Sequence, residues 1–289
     1  LFQRGIASLN RIDSIFQAQP DIIDRDMDME KGMRGNFKAK RLEGSIEFRN
    51  LSFSYNGKVV LKDINLKIES GQTIAIVGAT GSGKSTLVNL LPRIYDPPPG
   101  SVLIDGVSVQ KIPLAFLRSQ IGFVPQEPFL FSQTIRNNIA FGVGEASEDQ
   151  VEQAAKISQI LSDIQMFPRG MKTMVGERGI TLSGGQKQRT SIARAILYDP
   201  PILVLDDSLS SVDTFTEEKI LRHLREVMRK KTTLLISHRV STVQHADQIV
   251  VLDEGSIVER GTHSELLGEN GIYMNLYNKQ IIEEEIEKT

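Results

Sequence analysis

Apolar residues recur at spacings of three and four from the start of the chain to Phe16, which is the pattern of one helix face. Pro20 lies just beyond this face. Residues 21–40 are first acidic and then basic, include two glycines and show no hydrophobic period. The pattern therefore predicts a helix, then a linker, and a main domain that begins near Gly44.

Apolar and polar residues alternate after Gly44, as they do in strands that bury one face. Two such segments, within residues 46–55 and 64–68, predict an antiparallel arrangement with a bulge near Asn50. Three later runs are short and continuously apolar, which is typical of parallel strands buried on both faces. These runs span residues 73–77, 202–205 and 233–236.

Strand signals disappear between Glu127 and Arg189, where helical patterns dominate. The segment predicts a helical subdomain of about 127–189, inserted between the sheet-forming parts of the chain. Helical patterns also separate the apolar runs, so the sequence indicates an α/β protein.

The end of the chain carries a hairpin signal, because two apolar segments flank residues 253–255, Asp-Glu-Gly. Thr262 and Glu265 then have the spacing of a capping box. They predict a C-terminal helical tail of about 264–289. Its acidic end at 283–287 is expected to be either a solvated helix end or frayed.

Composition narrows the class of protein. With 289 residues and 40% hydrophobic content, the chain can bury a substantial core. A formal net charge of −2 gives no general attraction for a phosphate backbone, so nucleic acid is not expected as a partner. The chain has no cysteine, which excludes disulfides, thiolate zinc sites and cysteine nucleophiles.

Membrane and targeting signals are absent from the sequence as given. No apolar run approaches the roughly 20 residues of a membrane-spanning helix, and the N-terminus lacks a signal-peptide pattern. We therefore expect the chain to be soluble by itself. Because it starts at Leu1 within a helical pattern, we also expect it to be part of a longer polypeptide.

A phosphate-binding motif, GxxxxGK[ST], follows the apolar run 73–77 and precedes a helical pattern. Its glycines let consecutive backbone N–H groups turn toward phosphates, and the helix N-terminus adds positive potential. Lys84 is expected to reach the outer phosphates of ATP, and Ser85 is expected to ligate Mg²⁺. The residues concerned are Gly78, Ala79, Thr80, Gly81, Ser82, Gly83, Lys84 and Ser85, with Thr86 beginning the helical pattern.

Asp206 ends the apolar run 202–205, where a P-loop ATPase holds Mg²⁺ through water. Taken alone, an aspartate at a strand end is usually a turn residue or a helix cap. The phosphate-binding motif makes the metal-binding interpretation the stronger one.

A second glycine turn leads into a helical pattern at residues 182–189, Leu-Ser-Gly-Gly-Gln-Lys-Gln-Arg. It predicts a second phosphate cradle, formed by Ser183, Gly184, Gly185 and Gln186. Because one nucleotide does not need two such cradles from one chain, we expect this one to serve ATP held by another subunit.

These motifs together resemble the nucleotide-binding domain of an ATP-binding cassette (ABC) transporter, from Gly44 to about Leu267. The resemblance implies a P-loop NTPase fold with a RecA-like core, an N-terminal antiparallel β-subdomain and an inserted α-helical ABC subdomain. Its domain would span 44–289, and residues 1–43 would be a transmembrane-helix extension and linker. ATP and Mg²⁺ are the implied cofactors.

The resemblance also implies roles for single residues. Tyr55 would stack on adenine, and Gln126 would be the Q-loop residue near Mg²⁺ and the attacking water. Asp213 would lie in the D-loop. His238 would be the switch histidine that contacts the γ-phosphate, and Lys84 would act in catalysis as well as in binding.

Two further segments are similar to exporter-type cassettes. Residues 173–179 resemble the X-loop, and the N-terminal helix is similar to the cytosolic end of the last transmembrane helix in exporter half-transporters. The implied protein is a half-transporter at the cytoplasmic face of the plasma membrane, whose own membrane domain precedes Leu1. Its implied partner is a second half-transporter.

Residue 207 departs from the family pattern, because Asp207 occupies the position where the family normally has glutamate. The glutamate orients or deprotonates the attacking water, and the aspartate is one methylene shorter. We therefore hypothesise a degenerate, slowly hydrolysing site in a heterodimeric bacterial multidrug-type exporter. A homodimeric exporter with modest ATPase and a regulatory nucleotide-binding module without turnover are the alternatives.

Overall fold

The computed structural model describes residues 2–17, 22–24, 41–176 and 180–287. Most of the expected linker at 21–40 and residues 177–179 of the expected X-loop lie outside this part of the chain. The ten strands within it are β1 Ile46–Tyr55, β2 Lys58–Ile68, β3 Thr73–Val77, β4 Val102–Ile104, β5 Val107–Ser108, β6 Ile121–Val124, β7 Ile202–Asp206, β8 Thr232–Ile236, β9 Gln248–Asp253 and β10 Ser256–Gly261.

The helices within the same ranges are α1 Phe2–Gln17, α2 Lys84–Asn89, α3 Leu114–Ser119, α4 Ile135–Ile139, α5 Glu148–Ile157, α6 Leu161–Met166, α7 Gly184–Tyr198, α8 Thr214–Met228, α9 Val240–Val243, α10 His263–Gly268 and α11 Ile272–Glu287. The predicted N-terminal helix is confirmed as α1, but the large apolar side chains described on it are exposed, with Phe16 at 84%. No helix in the described ranges is long and apolar enough to cross a membrane.

A four-stranded antiparallel sheet in the order β2-β1-β4-β5 forms one part of the molecule. The predicted bulge in β1 is confirmed, because the register shifts between Phe48 and Leu51 and Asn50 has a φ of 45°. The alternation of β1 places Ile46, Phe48 and Leu51 in the core. The short strands β4 and β5 extend this sheet beyond the two predicted segments.

A six-stranded sheet in the order β10-β9-β3-β8-β7-β6 forms the second part. All of its pairs are parallel except β9–β10, which is the predicted hairpin. Strands β3, β7 and β8 are the three continuously apolar runs and are almost entirely buried. Because parallel strands present the same ends together, the segments that follow β3, β7 and β8 lie at one edge of the sheet.

Helices α4 to α7 bury a core of their own, which contains Ile139, Val151 and Ala193 among others. Helix α7 also packs against β6, so it joins this helical region to the sheet. The residue 189 boundary of the expected subdomain falls inside this continuous helix. The predicted capping box of α10 is confirmed, with Thr262 as its N-cap, and α11 is helical to Glu287.

Candidate nucleotide-binding site

The loop between β3 and α2 contains glycines that the backbone geometry requires. Gly78, Gly81 and Gly83 have φ angles of 146°, 84° and 105°, which L-residues with side chains rarely adopt. A Cβ atom on Gly78 would lie 2.0 Å from the backbone oxygen of Leu252 in β9. The loop therefore depends on a close contact with the neighbouring strand as well as on its own turn.

Lys84 begins α2 and is almost fully buried, at 6% exposure. Its ammonium donates to the backbone oxygens of Gly78 and Ala79, both at 2.8 Å. Burial lowers the pKa of Lys84, although the carboxylates of Asp207 and Asp206 act in the opposite direction. A buried ammonium inside a loop of turned backbone N–H groups gives this loop the charge that phosphate oxygens require.

Ser85 donates a hydrogen bond to Oδ1 of Asp206 at 3.1 Å. Burial is the main reason that the pKa of Asp206 is raised, and nearby Asp207 adds to it, whereas the Ser85 bond opposes it. A hydroxyl and a carboxylate are oxygen ligands of the kind that Mg²⁺ prefers. No group of three or more His, Asp or Glu that could hold a metal ion occurs within the described ranges. The pair therefore fits an ion whose remaining ligands are phosphate oxygens and water.

Asp207 follows β7 with a left-handed backbone, φ 45°, and its N–H donates to the backbone oxygen of Ile236 at 2.9 Å. The side-chain amide of Gln126 donates to Oδ2 of Asp207 at 3.2 Å. Gln126 follows β6 and His238 follows β8, so adjacent strands carry these groups to one edge of the sheet. The edge therefore combines a carboxylate, an amide and an imidazole.

A cavity of about 360 Å³ brings most of these groups together. Its described lining comprises Val60, Thr80, Gly81, Gly83, Lys84, Ser85, Thr86, Gln126, Asp206, Asp207, Ile236 and His238. The cavity thus joins the predicted phosphate loop, metal-binding pair and water-facing groups, although these come from four separate parts of the sequence.

Tyr55 lies beside the cavity at the end of β1, and its hydroxyl is 3.4 Å from the hydroxyl of Thr86. Its ring packs edge-on against Tyr95, with centroids 4.9 Å apart, and against Phe53 at 5.0 Å. Aromatic neighbours hold the Tyr55 ring next to the phosphate loop. This position suits the predicted contact with a base.

The second predicted cradle is not brought to the cavity. Ser183 is the N-cap of α7, where its hydroxyl accepts from the backbone N–H of Gln186 at 3.2 Å. The Gln186 side chain completes a capping box and also donates to Asp163. Of the residues described, neither these two nor Gly184 and Gly185 lines the cavity.

Asp213 is also outside the cavity lining and is the N-cap of α8. Its carboxylate accepts from the backbone N–H of Thr216 at 2.9 Å. This bond is the main reason that the pKa of Asp213 is lowered. A negative charge at the first turn of a helix is also favoured by the helix dipole.

The cap at Asp213 makes a stability prediction with a defined pH dependence. Asp213→Ala should lower the free energy of unfolding by about 1 kcal/mol, because Thr216 N–H loses its acceptor. Asp213→Asn keeps an acceptor and should cost less. Because the folded-state pKa is lowered, the charge contributes fully above the unfolded-state pKa of about 3.9 and its contribution disappears as pH falls through the folded-state pKa. Urea unfolding of the wild type and Asp213→Asn from neutral to acidic pH should show their difference shrinking at acid pH; a constant difference would contradict this role.

Two glutamines to which the sequence analysis gave no role, one of them inside the 182–189 segment, hold the site from outside. Gln188, in the second turn of α7, is hydrogen-bonded to the backbone of Gln126. Gln280, in α11, accepts from the N–H of Val240 at 2.6 Å and donates to the backbone oxygen of His238. No local pattern could have revealed either contact, because the partners lie on distant parts of the chain.

The sequence model of the ABC transporter family matches residues 61–210, more than half of the chain. The chain is 47% identical over 286 residues to ABC transporter B family member 6 of Dictyostelium discoideum. This alignment covers 96% of this chain and 42% of that protein. It is 45% identical over 284 residues to an ATP-dependent lipid A-core flippase of Syntrophus aciditrophicus. This second alignment covers 98% of this chain and 46% of that protein.

A solved structure of a bacterial Atm1-family ABC exporter with ATP bound superimposes with a TM-score of 0.79 at 43% identity. The alignment covers 82% of this chain and 42% of that chain. The chain thus spans less than half the length of the relatives it matches. The fold, the phosphate loop and these similarities agree, and the chain belongs to the ABC transporter family as an ATP-binding, ATP-hydrolysing domain.

Proposed function

We propose that this chain is one of two cassettes that close around Mg-ATP and thereby drive export across a membrane. The observation that carries the proposal is the separation of the two phosphate cradles. The phosphate loop lines the cavity, whereas Ser183 to Gln186 do not. A complete site then takes the phosphate loop from one cassette and the signature segment, Ser183 to Gln186, from the other.

The residues at the cavity have distinct proposed tasks. Lys84 exchanges its two bonds to loop carbonyls for bonds to the outer phosphates, which aligns the nucleotide. Ser85 and Asp206 would hold Mg²⁺, which would neutralise charge on the phosphates. Asp207 and Gln126 orient the attacking water, and His238 contacts the γ-phosphate. Tyr55 stacks on the adenine.

We propose that the site built on this chain's phosphate loop hydrolyses ATP slowly. The shorter Asp207 holds its carboxylate further back than glutamate would, so proton abstraction from water is weakened while ATP binding is retained. The intact signature segment serves a competent site in a partner that carries glutamate, which makes the exporter a heterodimer. The bond from Gln126 to Asp207 favours a second candidate, a homodimer with modest ATPase, because it keeps the carboxylate inside the site.

The exporter assignment has two supports. Relatives at 45% identity or above are named as a flippase and as a transporter, and each is more than twice as long as this chain. In addition, α1 exposes Leu9 at 66% and Ile15 at 70%, so the described part of the chain leaves these apolar side chains uncovered. We propose that α1 packs on a membrane domain of the same transporter, with the cassette at the cytoplasmic face.

The shared-site proposal can be tested by complementation between two inactive variants. The first variant carries Asp207→Glu together with Ser183→Asp, which preserves the helix cap but turns a carboxylate toward the partner's phosphate. The second variant carries Lys84→Ala and retains Asp207. Its own phosphate loop is inactive, but its signature segment is intact. Each variant alone should show almost no ATP turnover.

Mixing the two variants in equal amounts should recover about one quarter of the Asp207→Glu activity, because half of randomly paired dimers are mixed and each has one competent site of two. The control Ser183→Asn, in the Asp207→Glu background, should remain active because it keeps the cap without the charge. An inactive mixture, with Asp207→Glu itself active, would refute the shared site.

A further inference from the structure

Gln188 is a buried polar residue at a junction of three segments. The residue is 2% exposed, and its side chain makes three hydrogen bonds. The amide nitrogen donates to the backbone oxygen of Gln126 at 3.2 Å and to the hydroxyl oxygen of Ser210 at 3.0 Å, and the amide oxygen accepts from the backbone N–H of Ser211 at 2.9 Å. Both N–H groups and the carbonyl are therefore used, and the Ser211 N–H fixes which way the amide faces.

The partners of Gln188 are themselves bonded to Asp207. The side chain of Gln126 donates to Oδ2 of Asp207, and the hydroxyl of Ser210 donates to the backbone oxygen of Asp207 at 2.9 Å. The hydrogen bonds thus form a closed ring from Gln188 through Gln126, Asp207 and Ser210. A ring of this kind restrains the Asp207 carboxylate from both its side chain and its backbone.

Glycine contacts show how closely the same helix approaches the Ser210–Ser211 segment. A Cβ atom on Gly185 would lie 2.8 Å from the backbone oxygen of Ser211, and one on Gly184 would lie 3.3 Å from the Ser211 side chain. Helix α7 therefore presses its first turn against this segment and bonds to it from its second turn. The position of the segment is set by α7.

We propose that Gln188 is a positioning residue for ATP hydrolysis, which fixes the Gln126 and Ser210–Ser211 backbones on α7 and so holds the Gln126 amide on the residue 207 carboxylate. The inference rests on the proposed function, in which residues 126 and 207 act on the attacking water. Gln188 does not touch the water or the nucleotide. Its loss displaces the groups that do, so turnover falls while nucleotide affinity is kept.

Two substitutions of Gln188 distinguish the effect of its hydrogen bonds from the effect of its packing. Gln188→Leu has a similar volume but removes all three bonds. Gln188→Glu keeps an acceptor for Ser211 N–H but faces Gln126 O and Ser210 Oγ with an oxygen instead of the donating nitrogen. The matched control is Gln120→Leu. Gln120 is half-buried, accepts from the N–H of Leu42 at 3.1 Å and precedes β6, at the end of the strand opposite Gln126.

The experiment measures kcat and KM for Mg-ATP in the full chain carrying Asp207→Glu, and hydrogen exchange of the Ser211 amide in the otherwise wild-type chain. Both Gln188 variants should lower kcat about tenfold or more with KM changed less than about threefold. Gln188→Leu should also speed exchange at Ser211, because its acceptor is lost. Gln120→Leu should lower the melting temperature comparably and leave kcat unchanged.

A kcat unchanged by both Gln188 variants, or lowered equally by Gln120→Leu, would overturn the inference. So would a rise in KM that accounts for the whole loss of kcat/KM. A failure of Asp207→Glu to increase turnover would instead count against the proposed slow site. The Gln188 variants are then compared on the turnover of the wild-type chain, so the two failures are distinguishable.

Discussion

Asp207→Glu is expected to raise kcat for ATP hydrolysis about 10- to 100-fold and to leave the affinity for Mg-ATP within about threefold. A well-placed general base contributes roughly 10²- to 10⁴-fold, and an aspartate held near the right place retains part of that. The expected gain corresponds to about 1.4–2.7 kcal/mol of barrier. The affinity should change little, because Lys84, Ser85 and Asp206 carry the binding contacts proposed above.

The same substitution should reduce stability slightly. The backbone of residue 207 is left-handed, with φ 45°, and aspartate tolerates this region better than longer side chains do. Glutamate should therefore lower the free energy of unfolding by about 0.5–1 kcal/mol. A gain in turnover with a loss in stability would indicate that aspartate at position 207 gives lower reactivity but less backbone strain than glutamate.

The measurement is steady-state turnover with saturating Mg-ATP, together with nucleotide titration, for the wild type, Asp207→Glu and Asp207→Asn. Asp207→Asn has nearly the same size but lacks the charge, so it reports whatever the aspartate still contributes. Strong wild-type turnover that Asp207→Asn abolishes and Asp207→Glu does not raise would contradict the slow site. That result would favour a self-sufficient homodimer.

The sequence predicted the strands that are buried on both faces, because β3, β7 and β8 need continuous apolar runs in the middle of the sheet. It did not reveal β6, where Gly122 interrupts a run of only four residues. A Cβ atom at Gly122 would lie 2.6 Å from the ring of Pro200, so a glycine is required here by the contact with a neighbouring loop. Such a requirement is tertiary and leaves no local pattern.

The candidate site likewise contains residues that a local motif reveals and residues that only tertiary contacts reveal. The phosphate loop is a run of eight residues whose chemistry is local, so its motif could be recognised in the sequence. Gln188 bonds to a residue 62 positions away, and Gln280 bonds to one 42 positions away. Their hydrogen bonds exist only after the helices have packed against the sheet, and a single glutamine in a helical segment carries no sign of them.

The Gly78→Ala variant should lose both nucleotide binding and several kcal/mol of stability. The new Cβ atom would lie 2.0 Å from Leu252 O and 3.0 Å from Ser82 Oγ, and the φ of 146° is unfavourable for alanine. The backbone conflict cannot be relieved by a side-chain rotation, so the loop or β9 must move. We expect a cost of about 3 kcal/mol or more, from about 1–2 kcal/mol of backbone strain and about 1–3 kcal/mol of overpacking.

Nucleotide affinity should fall at least about 100-fold in the Gly78→Ala variant, because the displaced loop carries the turned N–H groups and the carbonyl that positions Lys84. The matched control is Gly71→Ala, at a φ of 79° in the turn before β3, where a Cβ atom meets nothing within 4 Å. It should pay only the backbone strain and bind Mg-ATP normally. Urea unfolding and nucleotide titration measure both effects. If Gly78→Ala resembled Gly71→Ala in both, the contact between the phosphate loop and β9 would not be what shapes the cradle.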